Sequence, residues 1–511
     1  MAQLCNRDDS GRLRPAAVRK VIDSAPMKVS VSQSEIAAVD ADLVAVGLYE
    51  DEKLPDELAT ARGADEAKGG FKKLTMIHPE QPSRVLVAGL GKQGERDVER
   101  MRVVAALVAK EASKLGARSL AWGLPMEEVG EELFEGIVTG TILGSYRFDE
   151  FKSVDPDDPE PASLDSLTLL GYVIPEGGAE VARICAEAQN FARDLQSLPS
   201  NVATPAYLGR RAREIASAHP IVKVDVLGRD EITEMKMGGL VAVSQGSAEE
   251  SKLIVLRYEN GGDGETLGFV GKGVTFDTGG ISLKTPAGMH EMKMDMSGAA
   301  AVLAAVRAIA ELELKVNLIA VIPSTENMPS GTAIKPGDII TQYNGKTVEI
   351  NNTDAEGRLI LADALSYAIE QGADRVVDIA TLTGAVMIAL GSTYAAVIGN
   401  DDDLVGQIEW VGKETGELVW RLPLHAEYTA LMKGTFADLT NAAAKRKAGT
   451  ISAAGFLEEF VGDTPWAHLD IAGTAWDVGR AYTGNDASGF GVRLLTGLAR
   501  ELAQGQTKPP F

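Results

Sequence analysis

The chain contains one polar junction from which its organisation can be worked out, Asn351-Asn352-Thr353-Asp354-Ala355-Glu356-Gly357-Arg358-Leu359. A strand-like run, 347–350, precedes the junction, and a helix-like run, 359–365, follows it. We therefore predict an extended junction, in which side chains two apart point the same way. Asp354, Glu356 and Arg358 would then project from one face at the carboxyl end of a strand.

Two interpretations of the junction stay open on its residues alone. Two carboxylates beside a guanidinium suit a hard cation with an anion held next to it. The alternative is an ordinary polar turn in which Asp354 or Thr353 caps the following helix.

A second polar cluster lies earlier in the chain and favours the cation site. A glycine-rich loop, 268–284, follows an apolar strand and carries Lys272, Asp277 and Lys284. Asp295 comes shortly before an alanine-rich helix, 299–310. The phosphate-loop pattern fails, because Gly273 instead of Ser or Thr follows the lysine.

These segments resemble the leucyl aminopeptidases, the cytosol aminopeptidases of peptidase family M17. The signature octapeptide of that family, Asn-Thr-Asp-Ala-Glu-Gly-Arg-Leu, stands intact at 352–359. Four further blocks are similar to the family: 270–284, 292–296, 377–385 and 468–473. The resemblance is dense from Leu198 to Leu495, and an octapeptide with four ordered blocks is far more specific than any single motif.

The resemblance implies two adjacent divalent metal ions in each subunit. Asp277 and Glu356 would bridge the ions. Asp354 would complete the looser site, and Lys272 with Asp295 the tighter one. Such oxygen-rich sites suit Mn2+ or Zn2+, with Mg2+ or Co2+ as alternatives. Lys272 must be neutral to act as a ligand, and two dications nearby would lower its pKa.

The implied reaction is the release of amino-terminal residues from peptides. A water bridging two metals is a strong nucleophile near neutral pH. The resemblance makes Lys284 the group that stabilises the oxyanion, and Arg358 the clamp for a bicarbonate that shuttles the proton. The free amino group of the substrate would ligate a metal, so hydrolysis would stop after one residue.

The resemblance also implies a pocket for the first substrate residue, formed by Met292, Thr381, Gly384, Gly473 and Trp476. This apolar slot would fit Leu or Met. One methylene in such a slot discriminates by only ~1–3 kcal/mol, so we expect a broad preference for Leu and other apolar residues. Without the resemblance, the methionine and the tryptophan would be ordinary core residues.

One segment departs from the family pattern. Between Asp438 and Ala453 the family usually has a glycine-rich turn, whereas this chain carries the basic triplet Lys445-Arg446-Lys447. A solvated loop is the simpler interpretation. The functional alternative is a contact with a substrate carboxylate or with a neighbouring subunit.

Length and composition set the broad class. A chain of 511 residues is too long for one core. We predict an N-terminal domain, 1–176, and a catalytic domain, 177–511, that begins with a connecting helix, 177–197. A hydrophobic content of 45% with 24% charged residues is ordinary for a soluble globular protein. The net charge of -23 speaks against nucleic acid as a main partner.

Several features indicate a cytoplasmic protein. Cys5 and Cys185 are far apart and build no disulfide framework. The first 19 residues lack the apolar core of a signal peptide. The longest apolar stretch, 376–399, contains Asp378 and several glycines, so a strand with an adjoining helix explains it better than a membrane span.

The N-terminal part reads as a smaller α/β domain. A strand, 84–88, and a helix, 97–115, enclose Gly89-Leu90-Gly91-Lys92-Gln93-Gly94, which is similar to a dinucleotide-binding fingerprint. The next strand, 119–124, ends in Leu124 and Pro125 where that site needs an acid, so we predict a tight turn instead. The segment 155–161, rich in Pro and Asp, is predicted to be a loop.

The catalytic part alternates strands with helices. The strands 315–322 and 375–380 predict a largely parallel sheet flanked by helices, with the site at strand carboxyl ends. The fold class is therefore α/β with two domains. The resemblance adds a homohexamer whose sites face an interior cavity.

Three other functions compete with a general aminopeptidase. A dipeptidase, such as one acting on Cys-Gly, would use the same metal chemistry. A nicotinamide-dependent oxidoreductase would use the Gly89 loop. A DNA-binding architectural role is known among some bacterial relatives.

Overall fold

The computed structural model describes residues 26–123, 133–153, 163–171, 177–445 and 447–506. The chain divides into two compact units, Met1–Ala179 and Glu180–Phe511. The following parts of the sequence predictions lie outside the described residues: the first 19 residues with Cys5, the strand end at Leu124 and Pro125, the loop 155–161, and Arg446.

The first unit is built around a six-stranded sheet in the order β1-β6-β5-β2-β4-β3. Its strands are β1 (Lys28–Ser32), β2 (Leu43–Tyr49), β3 (Leu74–Ile77), β4 (Val85–Gly91), β5 (Ser119–Gly123) and β6 (Ser166–Leu170). Its helices are α1 (Asp56–Ala59), α2 (Val98–Lys114) and α3 (Leu133–Gly144). Neighbouring strands run parallel except for the antiparallel pair β3 and β4.

Glycines allow α3 to approach α2 closely. Gly136, Gly140 and Gly144 are spaced four apart and therefore share one helix face. A Cβ on Gly140 would lie only 2.2 Å from the carbonyl oxygen of Arg102 in α2. The two helix backbones thus meet where no side chain fits between them.

The predicted tight turn at Gly89–Gly94 is wrong in its first half. Gly89 and Gly91 still belong to β4, and the turn begins only after them. The amide of Gly89 donates to the carbonyl of Lys73 over 2.8 Å. A Cβ there would lie 2.1 Å from the carbonyl oxygen of Gly70. Gly89 therefore allows two backbone segments to pack closely. It does not form the tight turn that a dinucleotide-binding loop needs.

The second unit contains the larger set of elements, and α4 (Gly178–Ser197) leads into it. Its strands are β7 (Val222–Leu227), β8 (Lys252–Glu259), β9 (Thr266–Gly271), β10 (Gly273–Asp277), β11 (Asn317–Asn327), β12 (Ile339–Thr341), β13 (Thr347–Glu349), β14 (Arg375–Ala380), β15 (Ala395–Gly399), β16 (Val419–Arg421), β17 (Leu439–Thr440) and β18 (Trp466–Asp470). Its further helices are α5 (Pro205–Ala218), α6 (Arg229–Glu234), α7 (Gly238–Ser244), α8 (Ser297–Glu311), α9 (Gly357–Glu370), α10 (Gly384–Leu390), α11 (Asp402–Thr415), α12 (Ala426–Thr429), α13 (Gly449–Glu458) and α14 (Val492–Ala503). A 3-10 segment, Met289–Met296, precedes α8.

The central sheet of this unit follows the order β16-β15-β18-β14-β9-β11-β8-β7. Its middle strands, β18, β14, β9 and β11, are parallel. Antiparallel pairs occur towards the edges, where β8 pairs with β11 and β7, and β15 with β18. The predicted two-domain α/β fold with a mainly parallel catalytic sheet is confirmed.

The middle of this sheet is the core of the unit. Nine of the eleven residues of β11 are buried, as expected for a strand covered on both faces. The helices α8 and α9 both contact β9, β11 and β14. The carboxyl ends of the middle strands are therefore held in fixed positions.

A buried carboxylate fixes α9, the helix that follows the polar junction. Asp363 accepts hydrogen bonds from the backbone amides of Leu240, over 3.0 Å, and Tyr343, over 2.8 Å. These contacts join α9 to α7 and to the loop after β12. The middle of α9 is thus anchored independently of the junction.

The long apolar stretch 376–399 forms most of β14, then α10, then β15. This confirms the prediction of a strand with an adjoining helix. Across the described ranges, no helix is long and apolar enough to cross a membrane.

The substitution Gly140→Ala tests the packing of α2 on α3. We expect a loss of ~1–3 kcal/mol in the free energy of unfolding, because the new methyl group meets backbone that cannot yield. Urea unfolding followed by circular dichroism measures the effect. The control is Gly94→Ala, since a Cβ at Gly94 meets no heavy atom within 4 Å. Equal stability of both variants would contradict the close approach of the two helices.

Candidate metal centre

The polar junction 351–358 is a turn and not an extended segment, so the predicted geometry is wrong. Glu356 already has helical angles, φ -78° and ψ -35°, as the N-cap of α9. Arg358 is the second residue of that helix. Neither Asp354 nor Thr353 is the helix cap, so the alternative interpretation is wrong as well.

Side chains from distant loops hold this turn in place. The carboxamide of Asn441 accepts from the amide of Asn351 over 2.8 Å and donates to the carbonyl of Asn352 over 2.6 Å. The amide of Thr353 donates to the hydroxyl of Ser282 over 3.1 Å. Long-range contacts therefore decide the backbone conformation of the junction, and its side chains do not alternate as they would in an extended segment.

The turn still brings the predicted carboxylates together. Asp277 ends β10, and one oxygen each of Asp277, Asp354 and Glu356 lies within 4.8 Å of the other two. Asp295, in the 3-10 segment before α8, joins them through Lys272. The four predicted acidic ligands thus form one cluster.

Lys272 lies in the middle of this cluster. Its Nζ is 2.8 Å from Asp295 and 2.9 Å from Glu356. Its backbone is fixed between β9 and β10, because its amide donates to the carbonyl of Ile379 and its carbonyl accepts from the amide of Ala299. The side chain is only 3% exposed, so this ammonium is enclosed by carboxylates.

Lys284 covers the outer side of the cluster. Its Nζ is 2.7 Å from Asp277 and also pairs with Asp354. Lys284 is 24% exposed and Asp354 33%, whereas Glu356 is only 3% exposed. The cluster is therefore open to solvent on the side of Lys284 and Asp354.

Asn327 is a member of the site that the sequence predictions missed. It ends β11, and its Nδ2 donates to Asp277 over 2.8 Å, to the carbonyl of Thr353 over 3.0 Å, and to Glu356 over 3.3 Å. One amide group thereby orients two candidate ligands and the junction between them. The polar run 324–327 at the end of an apolar strand was the available signal.

Burial and like charges shift the pKa values of these carboxyls. The pKa of Asp295 is raised to about 8 and that of Asp354 to about 6, and burial is the largest cause of both shifts. Burial, followed by the charge of Glu356, raises the pKa of Asp277. The pKa of Glu356 is lowered, because Lys272 and Lys284 outweigh the effect of burial.

The lysine pKa values respond to the same charges. Burial acts to lower the pKa of Lys272, but Asp295 and Glu356 outweigh it and raise the pKa. A neutral Lys272 is predicted from the sequence for the protein with two dications beside this residue. That protonation state remains a prediction.

The donor set fits divalent metal ions. Four carboxylates face only two ammonium groups, which leaves an excess of negative charge in a largely buried place. Isolated buried charges are costly and are usually paired or bound to metals. Carboxylate oxygens are the ligands that hard cations prefer.

Arg358 does not share a face with the two carboxylates of the junction, contrary to the prediction. Its Nη1 donates to the carbonyl of Asn441 over 2.9 Å. Its buried Nε has no hydrogen-bond partner among the described residues. Burial lowers its pKa to about 10, although Glu356 and Asp470 act in the opposite direction. A cationic side chain with an unused buried donor suits a small anion such as bicarbonate.

Of the five predicted pocket residues, Thr381 contacts the cluster, and the other four are placed by their own neighbours. Thr381 belongs to the cluster, since its hydroxyl donates to Asp295 over 2.8 Å. Gly384 begins α10, and Gly473 packs against the loop after that helix, where a Cβ would lie 2.2 Å from the carbonyl oxygen of Gly391. Trp476 lies 5.3 Å from the ammonium of Lys293, the neighbour of Met292.

Comparison with known proteins matches both units of the chain to one family. The profile of the cytosol aminopeptidase family, catalytic domain, matches residues 190–496. The profile of the N-terminal domain of the same family matches residues 40–155.

Curated relatives cover nearly the whole chain. A probable cytosol aminopeptidase of Roseiflexus castenholzii is 44% identical over 491 residues, which span 94% of this chain and 100% of the relative. A probable cytosol aminopeptidase of Cenarchaeum symbiosum is 42% identical, over 88% of this chain and 93% of the relative.

Solved structures show the same fold. The bottromycin maturation enzyme BotP in complex with Mn superposes with a TM-score of 0.82 at 34% identity, covering 91% of this chain and 100% of BotP. A mutant of tomato leucine aminopeptidase superposes with a TM-score of 0.84 at 30% identity, covering 94% of this chain and 97% of the tomato chain.

The substitution Asn327→Ala tests whether Asn327 orients the candidate ligands. We expect Mn2+ to bind about ten- to a hundredfold more weakly, as is typical when a residue that orients metal ligands is lost. Calorimetric titration of Mn2+ into the metal-free protein measures the change. The control, Asn260→Ala, removes an amide that donates to the carbonyl of Leu314 elsewhere in the unit. Unchanged Mn2+ affinity in the Asn327 variant would exclude this role.

Proposed function

Because the chain belongs to the cytosol aminopeptidase family and is a peptidase, we propose that it releases amino-terminal residues from peptides with two divalent metal ions. The family membership confirms the resemblance found in the sequence. The observation that carries the metal dependence is the buried cluster of four carboxylates around Lys272 and Lys284.

The cluster would divide between two cations. Asp277 and Glu356 would hold both ions, since the amide of Asn327 joins the two carboxylates. Asp277 lies beside Lys284, and Glu356 lies beside Lys272. Asp354 would complete the outer site. Lys272 and Asp295 would complete the inner one. When bound, the two ions would supply an ionised water and polarise the scissile carbonyl. Mn2+ is the first candidate, because the related BotP was solved in complex with Mn, and Zn2+ is the second.

The side chains around the ions would complete the site. Lys284 lies on the open side of the cluster, where its ammonium can donate to an oxyanion that develops on a bound peptide. Arg358 would hold bicarbonate through its unused Nε and keep a proton acceptor near the reacting water. The site would recognise the free amino group of the substrate, which limits cleavage to one residue at a time.

The pocket for the first residue would lie between Thr381, the start of α10 and the segment around Trp476. A Cβ at Gly384 meets no heavy atom within 4 Å, so there is open space beside this residue, three positions after Thr381. Met292, Gly473 and Trp476 would give this space an apolar lining, which supports a preference for Leu and related residues.

We also propose a homohexamer in the cytoplasm. Two neighbouring apolar residues of α10, Met387 and Ile388, are 52% and 92% exposed. Exposed apolar side chains next to each other suit an interface between copies. The family name and the absence of a disulfide framework in the sequence favour the cytoplasm.

Removal of the two junction carboxylates, Asp354 and Glu356, tests the proposed reaction. Protein reconstituted with Mn2+ or Zn2+ should hydrolyse leucine p-nitroanilide. Asp354→Ala and Glu356→Ala should each lower kcat/KM by more than about a hundredfold, since even residues that only orient metal ligands contribute ten- to a hundredfold. The control is Asp463→Ala, at an exposed acid outside the cluster.

Two results would contradict the proposal. One is full activity of either cluster variant. The other is a folded, metal-loaded wild type that releases no amino acid from leucine p-nitroanilide or from peptides. Cleavage confined to Cys-Gly would instead assign the site to a dipeptidase.

A larger residue at the start of α10 tests the pocket. Gly384→Val would fill the space beside Thr381, so kcat/KM should fall more for leucine p-nitroanilide than for alanine p-nitroanilide. The expected change in the ratio is about ten- to two-hundredfold. Parallel kinetics with both substrates measure it. An equal loss of kcat/KM for both substrates would mean that the side chain of the first substrate residue binds elsewhere.

A further inference from the structure

The segment Asn441–Thr450 carries a compact group of basic residues in this acidic chain. It contains Lys445, Arg446 and Lys447 and no acidic residue, while the whole chain has a net charge of -23. We call it the basic segment. Its position relative to the metal centre follows from its two ends.

The first end of the basic segment is joined to the polar junction. The carboxamide of Asn441 donates to the carbonyls of Asn352 and Ala355, and its backbone carbonyl accepts from Arg358 over 2.9 Å. These bonds place Asn441 against the turn that carries Asp354. The basic segment therefore begins beside the junction, next to the turn that carries the most exposed acid of the cluster, Asp354.

The second end is joined to the start of α10. The hydroxyls of Thr450 and Thr383 share a hydrogen bond of 2.8 Å. A Cβ at Gly449 would lie 3.0 Å from the Cβ of Ala385. This is the region beside Gly384 where the first substrate residue is proposed to bind. The basic segment therefore spans from the metal-binding junction to the substrate pocket.

The two described lysines of the segment are exposed and free to meet a ligand. Among the described residues, neither Lys445 nor Lys447 makes an ion pair. The amide of Lys447 donates to the carbonyl of Lys445 over 2.8 Å. Ala448 follows with φ 49°, in the left-handed region. Such a conformation is costly without glycine and persists only where the surroundings impose it.

We propose that Lys445 and Lys447 select short peptides by binding the terminal carboxylate of the leaving part of the substrate. The inference rests on the proposed aminopeptidase function. A substrate whose amino end is held at the buried cluster extends away from it, and the basic segment lies between the junction beside the cluster and the start of α10. In a dipeptide the terminal carboxylate lies one residue, ~3.5 Å, beyond the scissile bond. Lysine side chains are long and flexible, which suits contact with that carboxylate beside the junction.

The effect is electrostatic and exposed to solvent. Exposed ion pairs are weak, so the gain in kcat/KM should be about two- to fivefold. It should shrink as salt is added, because screening at high ionic strength removes attractions between exposed charges. The gain should act through KM, since a charge distant from the reacting atoms binds the ground state and the transition state equally.

Paired substrates test the proposal. Full-length, Mn2+-loaded protein is assayed with Leu-Gly and with Leu-Gly amide, which differ only in the terminal charge. Wild type should prefer Leu-Gly by about two- to fivefold in kcat/KM, and 0.5 M salt should reduce this ratio towards one. The double variant Lys445→Ser with Lys447→Ser should have a ratio near one already at low salt. The control is Lys413→Ser, an exposed lysine on α11, which should keep the wild-type ratio.

The substrates also separate this inference from the proposed function. Wild type that cleaves both peptides with the same kcat/KM, or a double variant that keeps the preference, would overturn the selection by these lysines while the aminopeptidase stands. Wild type that cleaves neither peptide would overturn both proposals. A preference for Leu-Glu amide over Leu-Gln amide, lost in the double variant, would extend the selection to acidic second residues.

Discussion

The structure depends on one electrostatic constraint, the convergence of four carboxylates in a place where water is largely excluded. Asp277, Asp295 and Glu356 are buried, and only two lysine ammoniums lie among them. Like charges brought together in a protein interior are strongly unfavourable unless cations compensate them. The cluster therefore favours the binding of further positive charge. Hydrogen bonds from Asn327 to Asp277 and Glu356 help to hold it in place.

The fold meets this constraint by supplying most of the charged groups from strands and helices or from residues next to them. The strands β9 and β10 place Lys272 and Asp277 along the edge of β11, the helix α9 presents Glu356 at its first turn, and Asp295 precedes α8. The backbone of α9 is anchored at Asp363, away from the site. Groups held by packed strands and helices keep their positions better than groups on free loops, which is what a site of several converging ligands needs.

The sequence predicted the fold class, most elements and the members of the cluster, because these depend on local patterns and on a distinctive signature. It failed where distant contacts decide the local geometry. The junction 351–358 turns because Asn441 and Ser282 bond to its backbone, and no rule about spacing contains those partners. Gly89 reads as a turn residue but lies in a strand, since Gly70 packs against it. Asn327 was missed because the polar run at its strand end does not by itself show which residue will meet Asp277 and Glu356. The metal ions, the bicarbonate and the hexamer remain predictions.

The central claim is that this cluster holds two divalent cations, and counting them is the most direct test. Metal-free protein is equilibrated with Mn2+ and its mass is measured under native conditions. The account predicts two manganese ions per chain in the wild type and fewer in a variant with Asp295→Ala, in which the inner position loses a carboxylate. A wild type that binds no manganese, or a single ion that Asp295→Ala leaves in place, would contradict it.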